Sequence, residues 1–327
     1  MMSESQYKMP KVDIVLISYN TQNLLLKCLH SLFLTPQGIE LGNVIIVDNA
    51  SSDKTIENIK AYYPGCMIIS LPTNIGYAGA VNEGMKKAKS SWVFIGNSDI
   101  EFRNFTLSNL LQQAELHSNT AVCCPQQVYP NNSFQRSWGY FPGLSESLHY
   151  VSLSVAFDNV LQSISLKLGL KRKSYTVPYA DGAGLLVNRA IFNELDGFDA
   201  NFFFYSEECD YCYRVWQAQY AVLFVPSSIL MHHRGSTTGG DLPSISSVEM
   251  LFKSKIQFLE KIGKQSHIVP MLLIMMFYYI ELLLIKFLPA LVNQHTRNAW
   301  KSHVLCMITC ISLLISILFP SKSTYQP

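Results

Sequence analysis

The chain has 327 residues, with 25 Lys/Arg against 23 Asp/Glu, 49% apolar residues and only 15% charged ones. That length suits one large α/β domain with an appendage, and so few charges exclude a disordered chain and hint at membrane contact. The charge is uneven: residues 251–327 carry net +6 and residues 1–250 net −4, which points to a tail facing anionic lipid and to no nucleic-acid partner.

The N-terminal stretch MMSESQYKMPK is polar, and the first apolar run, Val12–Ile17, is too short for a signal-peptide core. The body of the protein is therefore expected in the cytosol. Eight cysteines show no disulfide spacing, as suits a reducing compartment. Cys209 and Cys212 form a lone C-x-x-C upstream of His232 and His233. A zinc site there lacks the usual second pair, and the cysteines fall in a helical pattern.

Val12–Ile17 is a β-branched run expected as a strand buried on both faces. Thr21 then caps a helix with Leu24, Leu25, Cys28, Leu29 and Leu32 inward. A second strand at Val44–Val47 ends at Asp48, and Asp53 begins a helix to about Ala61. Met67–Ser70 is the third strand. Tyr77–Ala88 is a helix whose early turns carry Ala78, Gly79, Ala80 and Gly84. Trp92–Ile95 is the fourth strand. This alternation predicts an α/β fold with a doubly wound, mostly parallel sheet. Such sheets bind ligands at the carboxyl ends of their strands. Those ends carry Ser18-Tyr19-Asn20, Asp48-Asn49, Leu71 to Asn74 and Asn97-Ser98-Asp99.

Residues 133–178 look irregular. Within them Val151–Leu170 has helical periodicity, followed by Lys171-Arg172-Lys173. A surface helix with a solvated basic loop is one reading, and an acceptor- or lipid-facing flap the other. Leu185–Asn188 is a strand, Arg189–Leu195 a short helix, Gly197-Phe198-Asp199 a turn and Glu207–Gln219 a helix. Ala221–Val225 is a strand that Pro226 should end. Two apolar runs follow, Ile268–Val292 and Val304–Phe319. A bilayer core needs about 17–25 helical residues, so the first is long enough and the second, at roughly 24 Å, is short. A membrane hairpin and an interfacial pair both fit.

Several side chains suit a phosphorylated ligand. Asp48 can accept from a base imide or a ribose hydroxyl. Asp99 can hold Mg²⁺ or Mn²⁺ against a diphosphate, since hard cations favour oxygen ligands. Either could instead be a helix cap, as Asp53 is expected to be. Glu207-Glu208-Cys209-Asp210 opens a helix after Phe202-Phe203-Phe204-Tyr205. Acids there complement the helix dipole, but a carboxylate beside apolar rings also has a raised pKa and suits a general base. His232 and His233 fit either metal ligation or ordinary loop roles.

Taken in order, Ser18-Tyr19-Asn20, VIIVDNASSD (44–53), NIGYAGAVNEG (74–84), GNSD (96–99), the segment from Gly182 to Asp210, and His232-His233-Arg234-Gly235-Ser236 resemble family 2 glycosyltransferases of the GT-A fold. The likeness is closest to rhamnosyltransferase-like members that build bacterial surface polysaccharides, and it covers about residues 11–240. Any one motif is weak; all six in order are strong. The resemblance implies a GT-A domain over residues 1–250, with a donor half (about 11–100) and an acceptor and catalytic half (about 101–240), and a membrane-associated tail over 251–327. It implies that Asp48 binds the base or ribose beside Ser18, Tyr19 and Asn20, and that Asn74, Gly76, Asn82 and Asn97 serve the donor. Asp99 would be the last carboxylate of the metal motif, whose first Asp is here Asn97. His232 would complete the metal shell, with His233 the alternate. Glu207-Glu208-Cys209-Asp210 matches the family's E-D-x-D, with Glu208 at the base position. The implied reaction is an inverting transfer, with a divalent cation, from a nucleotide sugar (dTDP-rhamnose) to a lipid-linked saccharide at the cytoplasmic face of the inner membrane. A catalytically silent scaffold and a UDP-sugar enzyme are its rivals. A processive synthase is disfavoured because Arg214-Val215-Trp216 lacks the Q-x-x-R-W context.

Overall fold

The computed structural model describes residues 10–152, 154–170, 172–234 and 245–319. Gly235 and Ser236 of the histidine motif, Lys171 and the N-terminal residues 1–9 lie outside the described residues. The described residues of Met1–Tyr140 and Leu161–Thr237 form one compact unit, and those of Phe141–Val160 and Thr238–Pro327 another.

The first unit is built on the apolar runs seen in the sequence. Strand β1 (Lys11–Ser18) is buried from Val12 onward and pairs in parallel with β2 (Glu40–Asp48) and β4 (Trp92–Asn97). β3 (Met67–Ser70) extends this sheet beyond β2. The connecting helices are α1 (Gln22–Leu34), α2 (Thr55–Tyr62) and α3 (Gly76–Met85). α1 buries Leu25, Cys28, Leu29 and Leu32 against β-strand residues such as Ile14 and Leu16, the i, i+3, i+4, i+7 face of an amphipathic helix. α3 needs its small residues: a Cβ at Gly84 would stand 2.4 Å from a Val15 methyl. Thr21 occupies the N-cap position without capping. Its hydroxyl instead bonds Ser18 Oγ at 2.8 Å and Ser98 Oγ at 2.6 Å, tying the ends of β1 and β4.

The sequence left residues 100–132 unassigned. They form β5 (Ile100–Phe102), α4 (Thr106–Leu116) and β6 (Thr120–Val128). After a short pair, β7 (Trp138–Gly139) with β9 (Tyr179–Ala180), and β8 (Tyr175–Thr176), come β10 (Gly184–Asn188) and α7 (Arg189–Glu194). Next are α8 (Glu207–Gln217) and β11 (Ala221–His232). The sheet order is β3-β2-β1-β4-β10-β6-β11-β5, with β8 also on β11 and β10 antiparallel to both neighbours. The fold is the expected α/β class with a mostly parallel sheet.

Pro226 does not end its strand. β11 runs on to His232 because Val225 pairs with Pro125 of β6 and the ladder resumes at Ile229 with Gln126. Both prolines thus sit beside one register shift, where a missing N–H costs no ladder hydrogen bond. This bulge carries His232 onto the sheet.

In the second unit, α5 (Leu144–Val151), α9 (Ile245–Lys261), α10 (Ile268–Val292) and α11 (Gln294–Leu318) share a core that includes Val248, Phe252, Leu259, Met271, Leu272 and Cys310. α6 (Ser154–Lys167) follows α5 in the chain. Trp300 Nε1 donates to Leu283 O at 3.1 Å, binding α11 to α10. Helix α11 has 25 residues, about 37 Å at 1.5 Å per residue. The 16-residue apolar run understated it, because a helix also recruits the polar turns that precede the run. Both Gln265–Leu291 and Thr296–Leu318 are long and apolar enough to cross a membrane.

Candidate active site

The carboxyl ends of β1, β2 and β4 lie side by side: Ser18 is opposite Asp48, and Ile17 is opposite Asn97. Asp48 is buried. Its Oδ2 accepts from Ser51 N at 3.2 Å, while Oδ1 has no partner in the protein. A buried carboxylate oxygen left open is costly unless a ligand donates to it.

The loops around Asp48 are pinned by amides. Asn20, at φ 53°, donates its N–H to Ser51 Oγ and accepts from Ser52 N, leaving the neighbouring Tyr19 ring exposed. Asn49 Nδ2 donates to Asn74 Oδ1 and Gly76 O, and Asn49 Oδ1 accepts from Ile75 N. Gly76 sits at φ 78°, and a Cβ there would lie 2.4 Å from Phe203 O. Only glycine fits, so Gly76 shapes this wall through its backbone, while Asn74 does so through its side-chain oxygen, which accepts from Asn49 Nδ2 and Gly76 N. Asn82 is tied to the backbone of Phe198. Its Nδ2 donates to Phe198 O at 2.7 Å and its Oδ1 accepts from Phe198 N at 3.0 Å.

Beyond β4, Asn97 N donates to Ala183 O, Ser98 is held by Thr21, and Asp99 is buried with Oδ1 lacking a hydrogen-bond partner. His232 Nε2 lies 3.5 Å from that oxygen. The other ring nitrogen, Nδ1, is 3.0 Å from Gln127 Oε1 and 2.8 Å from Gln135 Oε1. Both amides are oriented by their own donors: Gln127 Nε2 to Asp181 Oδ1, and Gln135 Nε2 to the His232 carbonyl. Two carbonyl acceptors place a proton on Nδ1, and in the neutral ring Nε2 then presents a lone pair to the carboxylate. Two such acceptors face each other favourably when a cation lies between them. The pair therefore fits a hard divalent ion, with outer partners that fix the imidazole tautomer. Among the described residues no group of three or more His, Cys, Asp or Glu side chains forms a metal cluster, so other ligands would come from substrate and water. His233, the alternate ligand, is engaged elsewhere: its Nε2 meets Glu101 Oε1 at 2.7 Å.

The acidic helix start is approached through two consecutive non-glycine residues in the left-handed region, Tyr205 at φ 70° and Ser206 at φ 67°. Such strain concentrates at functional sites. Glu207 is buried, and burial followed by the charge of Glu208 raises it well above the carboxylate range. Glu208 is half-buried, over Gly182, whose added Cβ would lie 3.5 Å from the Glu208 Cβ. Burial and then Asp181 push Glu208 up to about 7, against the lowering effect of Arg234. Tyr77 Oη donates to Gly182 O at 2.9 Å, tying α3 to the same loop. Asp210 pairs with Arg214 at 2.9 Å, and Arg214 also donates to the Leu195 and Gly197 carbonyls. This i, i+4 pair holds the turn that precedes the aromatic stretch.

Asp181, Gln127, Gln135 and Arg234 had no role in the sequence reading. Asp181 pairs with Arg234 and accepts from Ala183 N at 3.1 Å. Burial raises its pKa, but Arg234, His232 and these hydrogen bonds outweigh that and lower it. A hydrogen-bonded line therefore runs Arg234–Asp181–Gln127–His232 and ends facing Asp99. The available signal was Gln126-Gln127, a polar pair inside a nine-residue strand buried throughout.

Residues 13–196 match the model of Glycosyl transferase family 2, and the chain belongs to that family. Over 211 residues it is 26% identical to the N-acetylglucosaminyl-diphospho-decaprenol L-rhamnosyltransferase of Mycobacterium tuberculosis, spanning 61% of this chain and 69% of that protein. Over 130 residues it is 35% identical to an uncharacterized glycosyltransferase of Haemophilus influenzae, spanning 35% of this chain and 49% of that one. The fold is similar to the crystal structure of GalNAc-T7 with UDP, GalNAc and Mn2+, with TM-score 0.58 and 17% identity. That match covers 78% of this chain but just under half, 48%, of the solved one.

Proposed function

We propose that the chain is an inverting glycosyltransferase that moves a sugar from a nucleotide-diphosphate donor to a lipid-linked saccharide. The carrying observation is the pair Asp99–His232, a buried carboxylate oxygen and a ring nitrogen 3.5 Å apart, on the same sheet edge as the open oxygen of Asp48. Asp48 Oδ1 accepts from the base or ribose. Glu208, titrating near neutrality, takes the proton of the acceptor hydroxyl as that oxygen attacks the sugar C1 in a single displacement. A divalent cation, Mg²⁺ or Mn²⁺, held by Asp99 and His232 would neutralise charge on the departing nucleoside diphosphate.

Rhamnose from dTDP-rhamnose is the donor we favour, on the motif resemblance and on the name of the mycobacterial relative. That name also carries a decaprenol diphosphate, which supports a polyprenyl-linked acceptor in bacterial surface-polysaccharide synthesis. Helices α10 and α11 support attachment to the cytoplasmic face of the membrane, with four lysines (Lys253, Lys255, Lys261, Lys264) preceding α10.

The test incubates the full chain in membranes with lipid-linked acceptors and a panel of dTDP-, UDP- and GDP-sugars, with Mn²⁺ or EDTA. Transfer from one donor that EDTA abolishes is expected. Donor binding with neither transfer nor slow donor hydrolysis would favour a silent scaffold, and full activity in excess EDTA would remove the metal role. Recovery of the intact chain in the soluble fraction at low salt, without detergent, would overturn the membrane reading.

A further inference from the structure

α6 carries its apolar residues on the outside. Leu161, Ile164 and Leu168, all in the first unit, recur at three- and four-residue spacing as a stripe on one helical face. Each is between 46% and 66% exposed. Leu168 N donates to Ile164 O at 2.9 Å, so the helical turn carries the stripe one residue past Lys167. The inward residue is polar: Gln162 is buried, its Nε2 donating to Tyr175 Oη at 2.7 Å and its Oε1 accepting from Arg172. A helix of an aqueous domain places these two faces the other way round. Exposed apolar residues lined up on one helix face mark an interaction surface.

The charge around the stripe indicates what covers it. Residues 156–173 hold Lys167, Lys171, Arg172 and Lys173 against Asp158 alone, a net +3, while the first 250 residues as a whole are net −4. Lys167 and Lys173 are exposed beside exposed Leu168 and Leu170. Cations at the end of an apolar stripe match the boundary between acyl chains and anionic headgroups. A second copy of the same face would bring further positive charge to a face that is already cationic.

We propose that α6 and the basic segment after it lie in the plane of an anionic bilayer surface, as a lipid contact additional to the two C-terminal helices. The stripe would sink to the acyl boundary, and the cations would meet phosphate headgroups. This contact would fix how the domain stands on the membrane, whatever its donor sugar.

The test uses the full chain carrying Ile164→Trp, reconstituted in vesicles whose acyl chains are brominated. Subtracting the parent protein removes the signal of the four native tryptophans. In vesicles of phosphatidylglycerol and phosphatidylethanolamine the added indole should be quenched about twofold or more. In phosphatidylcholine alone, or with Lys167, Lys171 and Lys173 changed to Ser, quenching should drop toward the parent level. Leu168→Trp, at another exposed position, should behave alike and guards against a local folding defect. If the protein floats with the vesicles but neither indole is quenched, the inference fails while the tail reading stands. Equal quenching in phosphatidylcholine overturns the anionic surface. A detergent-stable dimer dissociated by Leu161→Ser with Leu168→Ser assigns the stripe to a second copy and also overturns it.

Discussion

Two buried aspartates on one sheet are treated in opposite ways. Asp13, near the start of β1, accepts from the N–H groups of Asn43, Lys89 and Ser90 and from the Ser90 hydroxyl. Asp99, just past the end of β4, keeps a buried oxygen without a hydrogen-bond partner among the described residues and faces His232 Nε2 at 3.5 Å. Burial is alike, 1% and 3% exposed, so burial does not mark function. The two differ in hydrogen bonding: the chain itself closes Asp13 at the amino end of β1, while Asp99, past the carboxyl end of β4, keeps an oxygen open to the side where such sheets bind ligands.

The largest expected effect is at the base. Glu208→Gln keeps the shape and removes the proton acceptor, so kcat should fall by about 10²–10⁴ while donor affinity, read by calorimetry with the nucleoside diphosphate, stays near the parent value. A mild Glu208→Gln beside a crippling Glu207→Gln would move the role to Glu207. Asp99→Asn should also lower kcat by orders of magnitude and, unlike Glu208→Gln, abolish the response to added Mn²⁺.

The next effect is on metal affinity. If Gln127 and Gln135 hold the Nδ1 proton of His232, changing both to Leu frees the ring to take the other tautomer. Mn²⁺ affinity in the presence of nucleoside diphosphate should weaken by roughly 10–100-fold, measured by electron paramagnetic resonance. Unchanged affinity would show that the two glutamines merely fill space.

A smaller effect separates Asp181 from a packing role. Its charge helps raise Glu208 to about 7. Asp181→Asn removes that charge and frees Arg234, and both changes favour ionised Glu208. A base works deprotonated, so the acidic limb of the kcat/KM profile should move to lower pH. A loss of activity with an unmoved limb would leave Asp181 a packing role alone.

This contrast also explains what the sequence could show. Runs such as Val12–Ile17 and Val44–Val47 are buried on both faces and announce themselves by composition. Asp48, Asp99 and Glu208 can be placed from the sequence because strand ends and a helix start follow from periodicity, whereas His232 lies on the strand continuation that Pro226 hides. β6 was not legible: Pro125 and two glutamines interrupt TAVCCPQQV, and only the register shift opposite Pro226 shows how a proline fits there. Asn82 and Asp210 look like site residues by motif, yet their partners, the Phe198 backbone and Arg214, come from tertiary packing. Asp181 and Gln127 are 54 residues apart, and no local pattern links them.

The last test sharpens the comparison from its closed side. In Asp13→Asn one face of the amide presents N–H groups to the N–H groups of Lys89 and Ser90. A charged acceptor is lost and donors are left facing donors, which should cost about 2–4 kcal/mol of stability, read by urea unfolding of the purified chain in detergent. Asp13 is far from the reacting groups, at the opposite strand ends, so kcat in the folded fraction should stay within about twofold. The pH dependence has a fixed sign. Burial pushes the Asp13 carboxyl up, but its four donors outweigh that and hold it below its ordinary value. Its contribution is therefore full above the unfolded value near 4 and fades as pH falls through the lower folded value. The stability gap between parent and variant should narrow in that acid range. A variant that unfolds like the parent at neutral pH would mean that closure of the amino end by hydrogen bonds does not stabilise the sheet.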